Sequence, residues 1–147
     1  MFNFTILSVG KIKNASTSEL SKEYQKRLKL IGRLDVIEIS DGTIHSEGQR
    51  FLEILNRRKQ AQIFVLSEEG NLFTSNNFSK KLNNLQGQQA IFVIGGAYGL
   101  DPKVKARADI ILSLSPMTFN HEIAQMILTE QLYRGVSIFS GRKYHHG

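Results

Sequence analysis

The stretch Ala90-Ile91-Phe92-Val93-Ile94-Gly95-Gly96-Ala97-Tyr98-Gly99-Leu100-Asp101-Pro102 decides the architecture. Its first five residues are apolar throughout, the pattern of a strand covered on both faces, as in a parallel sheet. The glycines that follow let backbone N–H groups approach a ligand with no Cβ in the way. Asp101-Pro102 is a helix cap followed by proline at the first helical position, which opens a short helix. The glycine spacing is G-G-x-x-G, so it is neither the dinucleotide fingerprint G-x-G-x-x-G nor a phosphate loop, which needs a lysine. On the glycines alone, a tight strand-to-helix turn is the favoured reading of the loop over a ligand cradle.

Outward from this stretch, strand and helix patterns alternate. Phe4–Val9, Asp35–Ile39, Ile63–Leu66 and Ile110–Leu114 read as further strands. Ser16 and Glu19 form a capping-box pattern before a helix with Leu20, Tyr24, Leu28 and Ile31 on its inner face. After a polar loop, Ser40–His45, Ser46 is placed to cap a helix through Arg58, with Phe51, Ile54 and Leu55 inward. Ser75 or Asn76 starts another, with Phe78, Leu82 and Leu85 inward. Asn120 caps a long last helix to about Arg134, followed by a glycine-punctuated polar tail, Gly135–Gly147. Five alternations predict an α/β domain with a largely parallel sheet. Ligands of such sheets sit outside the carboxyl ends of the strands.

A second loop lies at those ends, Ser113-Leu114-Ser115-Pro116-Met117-Thr118-Phe119-Asn120-His121. Its hydroxyls, backbone donors, methionine and phenylalanine suit a ligand with an apolar face and a polar rim, such as an adenosine. Taken alone, it also reads as a connection whose Met117 and Phe119 plug the core. Together, the two loops predict one crevice. On the last helix Glu122, Met126, Glu130 and Arg134 share a stripe at i, i+4 spacing. Glu130 and Arg134 there form either a surface pair or an arginine held at a site mouth. The tail ends Tyr144-His145-His146-Gly147, with no carboxylate cluster or spaced third histidine to suggest a metal.

The chain has 147 residues, with 41% hydrophobic and 22% charged, as expected of one ordinary globular domain spanning 1–147. It contains no cysteine, which excludes disulfides, thiolate zinc sites and cysteine nucleophiles. The longest apolar run, Ala90–Ile94, falls far short of the ~20 residues that span a bilayer. Met1-Phe2-Asn3-Phe4 carries no basic leader, so a cytoplasmic location is expected. Nineteen Lys and Arg against 13 Asp and Glu give a net charge of +6. The clusters are Lys11 with Lys13, Lys22-Lys26-Arg27-Lys29, Arg57-Arg58-Lys59 and Arg142-Lys143. Singly they read as solvated helix faces, and together as a surface for a polyanion.

Ile94-Gly95-Gly96 with Gly99-Leu100, then Leu112-Ser113-Leu114-Ser115 through Met117-Thr118-Phe119 to His121, then Glu130-Gln131-Leu132-Tyr133-Arg134, and finally Tyr144-His145 resemble the RlmH family. These are bacterial pseudouridine N3-methyltransferases of large-subunit ribosomal RNA, within the SPOUT superfamily. The resemblance runs over nearly the whole chain and includes Val9-Gly10-Lys11 and Glu47-Gly48-Gln49-Arg50. It implies a mostly parallel sheet of five to six strands, helices on both faces and a C-terminal trefoil knot. It implies S-adenosylmethionine as cofactor, no metal, and a homodimer in which one tail helps to build the other protomer's site. The implied substrate is 23S ribosomal RNA in the large subunit or ribosome. By resemblance, Leu66, Gly95, Leu114, Ser115, Pro116, Met117, Thr118 and Phe119 contact the cofactor. His121, Arg134, Tyr144, His145 and His146 face the target nucleotide as catalytic residues. Asn120, Gln125 and His146 depart from the proline, arginine and final basic residue usual in the family.

The implied chemistry has physical demands. The target nitrogen is protonated at neutral pH and must lose its proton, for which a base with pKa near neutrality fits. His121 or His145 is the candidate by residue type, and Arg134 would stabilise charge developing on the ring. A stacked nucleotide must be extruded to react. Two other readings remain at this point: a non-catalytic ribosome- or RNA-binding protein retaining the fold, and a doubly wound enzyme for small nucleotides.

Overall fold

The computed structural model describes residues 1–147. In chain order its elements are β1 (Asn3–Val9), α1 (Ala15–Lys29), β2 (Arg33–Ile39), α2 (Ile44–Asn56), β3 (Gln62–Leu72), α3 (Ser75–Asn83), β4 (Ala90–Val93), α4 (Pro102–Ala106), β5 (Ile110–Ser113) and α5 (His121–Phe139). All five strands are parallel and lie in the order β2-β1-β4-β3-β5. The sheet is the α/β architecture expected, with five strands.

The apolar run of β4 divides between two cores by strand alternation. Ala90, Phe92 and Ile94 join a cluster with Leu28, Phe78, Leu82, Leu128 and Leu132, under α1, α3 and α5. Ile91 and Val93 join another with Phe51, Leu55 and Val104, under α2 and α4. Successive side chains point to opposite faces, so both faces need apolar residues and the run shows no polar alternation.

Several boundaries differ from the sequence reading. Helix α1 is capped by Asn14, whose Oδ1 accepts from Thr17 N at 3.0 Å, and the Ser16–Glu19 pattern lies inside it. Leu20, expected inward, is 44% exposed. Helix α2 starts earlier, where Thr43 and Ser46 form a reciprocal capping box. Strand β3 does not stop at Leu66. Leu66 and Asn71 both pair with Leu112, so Ser67-Glu68-Glu69-Gly70 bulges out between them. A Cβ on Gly70 would lie 2.5 Å from Ile111 O, so only glycine lets the chain return this closely to β5. Helix α5 runs on to Phe139, so Gly135–Phe139 belongs to a packed helix and not to the tail.

Asp101 and Asn120 cap α4 and α5 as expected, accepting from Lys103 N and Glu122 N at 2.8 Å each. The connection 114–120 leaves the edge strand β5 and crosses the carboxyl ends of β3 and β4. It delivers α5 beside the end of β1, where Asn14 N donates to Glu122 Oε1 at 3.1 Å. The expected knot requires a crossing of this kind.

Candidate active site

The crossing encloses a cavity of about 620 Å³ at the carboxyl ends of the strands. That volume suits a small organic ligand. Its walls are the end of β3 (Leu66–Glu68), the glycine loop (Ile94–Leu100), the loop after β5 (Leu114, Ser115 and Met117–Asn120) and the first turn of α5 with His121 and Ala124. Half of its 20 lining residues are hydrophobic. The two loops form one crevice although β4 and β5 are not neighbours: β3 lies between them in the sheet, and the loop after β5 reaches across its end.

The glycine loop is a tight turn with a ligand-facing backbone, so both readings of it hold together. Gly99 N donates to Gly96 O at 3.1 Å, and Gly99 has φ +90°. A Cβ on Gly95 would sit 2.7 Å from Leu100 Cγ and 3.0 Å from Gly99 O. Behind the loop stands the first turn of α2. Glu47, 7% exposed, accepts from Gly42 N at 2.9 Å, and its Oε1 lies 3.3 Å from a Cβ placed on Gly96.

The loop after β5 corrects two expectations. Ser113 Oγ lies 2.9 Å from Ser115 O and 3.2 Å from Glu68 O, and Ser115 Oγ accepts from Met117 N at 3.0 Å. These hydroxyls fold the loop and tie it to the β3 bulge. Met117 plugs no core: it is 74% exposed at the cavity wall. Of the cofactor residues implied by resemblance, Leu66, Gly95, Leu114, Ser115, Met117, Thr118 and Phe119 line the cavity. Pro116 turns outward and is exposed. Ser67 and Glu68 also line it and were missed, because no local pattern signals that the bulge folds back.

The substrate-side residues do not form one group. His121 lines the cavity. Arg134 lies thirteen residues later on α5, about 20 Å away along the axis at 1.5 Å per residue. Around Arg134 a second cluster forms. Glu130 Oε1 accepts from Arg134 Nη2 at 2.7 Å, from Arg134 Nε at 3.1 Å and from the Tyr144 hydroxyl at 3.0 Å. The guanidinium lies over the Tyr144 ring at 4.7 Å, and its Nη1 is 3.1 Å from His145 Nδ1. A guanidinium only donates, so Nδ1 accepts and the ring proton sits on Nε2. Tyr144 gives its proton to Glu130, so the 2.8 Å contact with Tyr24 is donated by Tyr24.

The hydrogen bonds that Arg134 donates to Glu130 hold its pKa above the ordinary value. Burial, then the contacts with Tyr24 and Glu130, push the Tyr144 phenol up. The Arg134–Glu130 pair is thus more than a surface pair, with side chains only 25% and 17% exposed. Glu130 was read only as the partner of Arg134, and Tyr24 and Tyr133 were given no part in the site. The i, i+4 spacing of Glu130 and Arg134 was the available signal, whereas the tyrosines read as helix core. His146 is exposed and outside the cluster, and Gln125 is a buried inner-face residue, 6% exposed. No three His, Cys, Asp or Glu side chains group to hold a metal, and no helix is long and apolar enough to cross a membrane.

Residues 2–145 match the family described as "Predicted SPOUT methyltransferase". The chain belongs to the SPOUT methyltransferase family. Its relatives agree. "Ribosomal RNA large subunit methyltransferase H" of a Prochlorococcus marinus strain is 42% identical over 142 residues, covering 97% of this chain and 94% of that protein. The protein of the same name from Gloeobacter violaceus is 36% identical over 149 residues, covering 97% of each. Among solved structures, a probable methylase family protein from Haemophilus influenzae Rd KW20 shares the fold, with a TM-score of 0.60 at 12% identity. That likeness covers 99% of this chain and 71% of the other. A methyltransferase requires a methyl donor, and the half-apolar cavity at the two loops has the volume of a small organic ligand.

Proposed function

We propose that this SPOUT methyltransferase transfers a methyl group from S-adenosylmethionine to N3 of a pseudouridine in 23S ribosomal RNA, acting on the large subunit or ribosome in the cytoplasm. The proposal includes a single catalytic domain, 1–147, working as a homodimer. The observation that carries it is the separation of the two residue groups along α5. A cavity fit for the donor lies at one end, and an arginine–tyrosine–histidine cluster fit for a nucleotide lies about 20 Å away. A second copy that brings its cluster over this cavity completes the site.

Leu66, Leu114, Met117 and Phe119 would flank the donor's apolar base, with backbone groups of Gly95 and of the run Ser115, Pro116, Met117, Thr118 completing the cradle. When bound, the donor supplies an activated methyl group. The chain's own work is alignment, which is worth roughly 7–11 kcal/mol when well made. Arg134, locked by Glu130 and stacked on Tyr144, presents a fixed cation to charge developing on the ring. His145, with Nδ1 engaged by Arg134, offers an Nε2–H and so acts as a donor in this arrangement. His121 remains at the cavity as the candidate base. Tyr144 keeps its proton and orients the pair. His146 lies next to this group on the tail, where it would meet RNA.

Labelled S-adenosylmethionine incubated with ribosomes that lack the modification tests the reading. Incorporation at one large-subunit pseudouridine is expected. Tight binding of S-adenosylhomocysteine and ribosomes with no incorporation would instead favour a non-catalytic RNA-binding protein.

A further inference from the structure

The chain has nine Phe and four Tyr. Twelve of these rings are buried or half-buried, and one is not: Tyr98 is 82% exposed. It also lines the rim of the cavity at the carboxyl ends of the strands, at the tip of the glycine loop.

The loop presents Tyr98 from a fixed base. Gly96 and Gly99 pair in an antiparallel bridge, and Gly99 N donates to Gly96 O, which places Ala97 and Tyr98 at the two central positions of a four-residue turn. Neither central residue has positive φ, and glycine follows at the fourth position, as type I turns favour. Gly95 is wedged against Leu100, which packs on the core beneath α2 and α4, and Gly96 backs onto Val9 and Glu47. The foot of the turn is thus packed into the protein while its aromatic tip faces solvent. Lys105 lines the same cavity, and Lys103 is exposed on the same short helix.

We infer that Tyr98 is a stacking platform for an RNA base next to the methylated nucleotide. The inference rests on the proposed RNA substrate. A pyrimidine that enters the cavity must leave its stack, and its departure uncovers the faces of neighbouring bases. Unstacked RNA bases are recognised by aromatic planes, and phosphates by lysines beside them. Tyr98 with Lys105 and Lys103 supplies both at the mouth through which the target would pass.

The test measures binding of large ribosomal subunits lacking the modification, in the presence of S-adenosylhomocysteine. Y98A is expected to bind them roughly 5- to 150-fold more weakly, the usual range for loss of one base–aromatic stack, while Y98F and Y98W stay within about twofold of the parent. Thermal stability should not change, since the ring is outside the core. The inference is overturned if Y98A binds subunits as tightly as the parent. It is also overturned if Y98F loses as much as Y98A, which would indicate a hydroxyl contact. A fall in sedimenting mass for Y98A would assign the ring to contact between copies and overturn it as well. Because the assay reads binding, Tyr98-dependent binding without methyl transfer would sink the proposed function and leave the stacking contact standing.

Discussion

Arg134 shows how one side chain gains a role from its neighbours. Two of its N–H groups are held by one oxygen of Glu130, its plane lies over Tyr144, and its remaining nitrogen faces His145. Lysine keeps the charge but has neither the fork nor the plane. R134A and R134K are therefore both expected to lose roughly 100- to 1000-fold in kcat, with S-adenosylhomocysteine affinity unchanged by calorimetry. A second residue makes a prediction about pH. Glu122 is held below the ordinary carboxylate value of 4.5, first by the N–H of Asn14, and also by the N–H of Lys13 and by charge at His121 and Lys13. A depressed carboxylate pKa adds stability above the unfolded value, and that stability is lost as pH falls through the folded value. E122Q should thus melt lower than the parent at pH 7, and the gap should be smaller at a pH well below 4.5. A gap of equal size at both pH values would show that the carboxylate charge contributes nothing.

At the scale of elements, close approach explains both the glycines and the misread boundaries. Gly135 reads as a stop, yet α5 continues through it. The reason is α3: a Cβ on Gly135 would meet Leu82 Cδ1 at 2.7 Å, and Ser79 Oγ donates to Gly135 O at 2.6 Å. Glycine here marks a helix contact, and nothing local to the sequence distinguishes that from a terminus. The caps show the opposite case. Asp101-Pro102 and Asn120 were legible because a cap is chemistry within four residues. Asn14 and Thr43 are harder to single out, since nearby serines satisfy the same local rule. Gly48, in α2, joins the two helices that back the glycine loop. A Cβ there would lie 2.7 Å from Asp101 Cβ, an atom fixed to the backbone. G48A should destabilise the fold by about 1–3 kcal/mol from overpacking, against a helix-propensity gain of about 1 kcal/mol. It should also weaken S-adenosylhomocysteine binding by displacing the loop. Unchanged melting and unchanged binding would show that the junction yields freely.

For the whole molecule, the distance between cavity and cluster makes the assembly testable. If each site takes its cavity from one copy and Arg134 from the other, a dimer of G95A with R134A has one site with both lesions and one with neither. Mixing the two inactive variants and allowing exchange should restore up to about a quarter of parental activity, the share of intact sites expected from random pairing in a twofold dimer. Activity no higher than the mean of the two variants alone would place each complete site within a single chain. By itself, the sequence determined the alternation of strands and helices, the parallel sheet, two of the caps and the pairing of two loops at the strand ends. These follow from hydrophobic period and from turn chemistry, which act over a few residues. Its resemblance to a family also marked the residues of the cavity and of the tail. Only the tertiary structure decided that Ser67 and Glu68 fold back into the cavity, that the loop serines bond to their own backbone, and that Glu130 gathers Arg134, Tyr144 and, through Arg134, His145. The tail group joins residues brought together by the return of the chain after α5, and Tyr24 comes from α1, 120 positions before Tyr144. Such contacts depend on where whole elements pack, and neither periodicity nor local spacing carries that information.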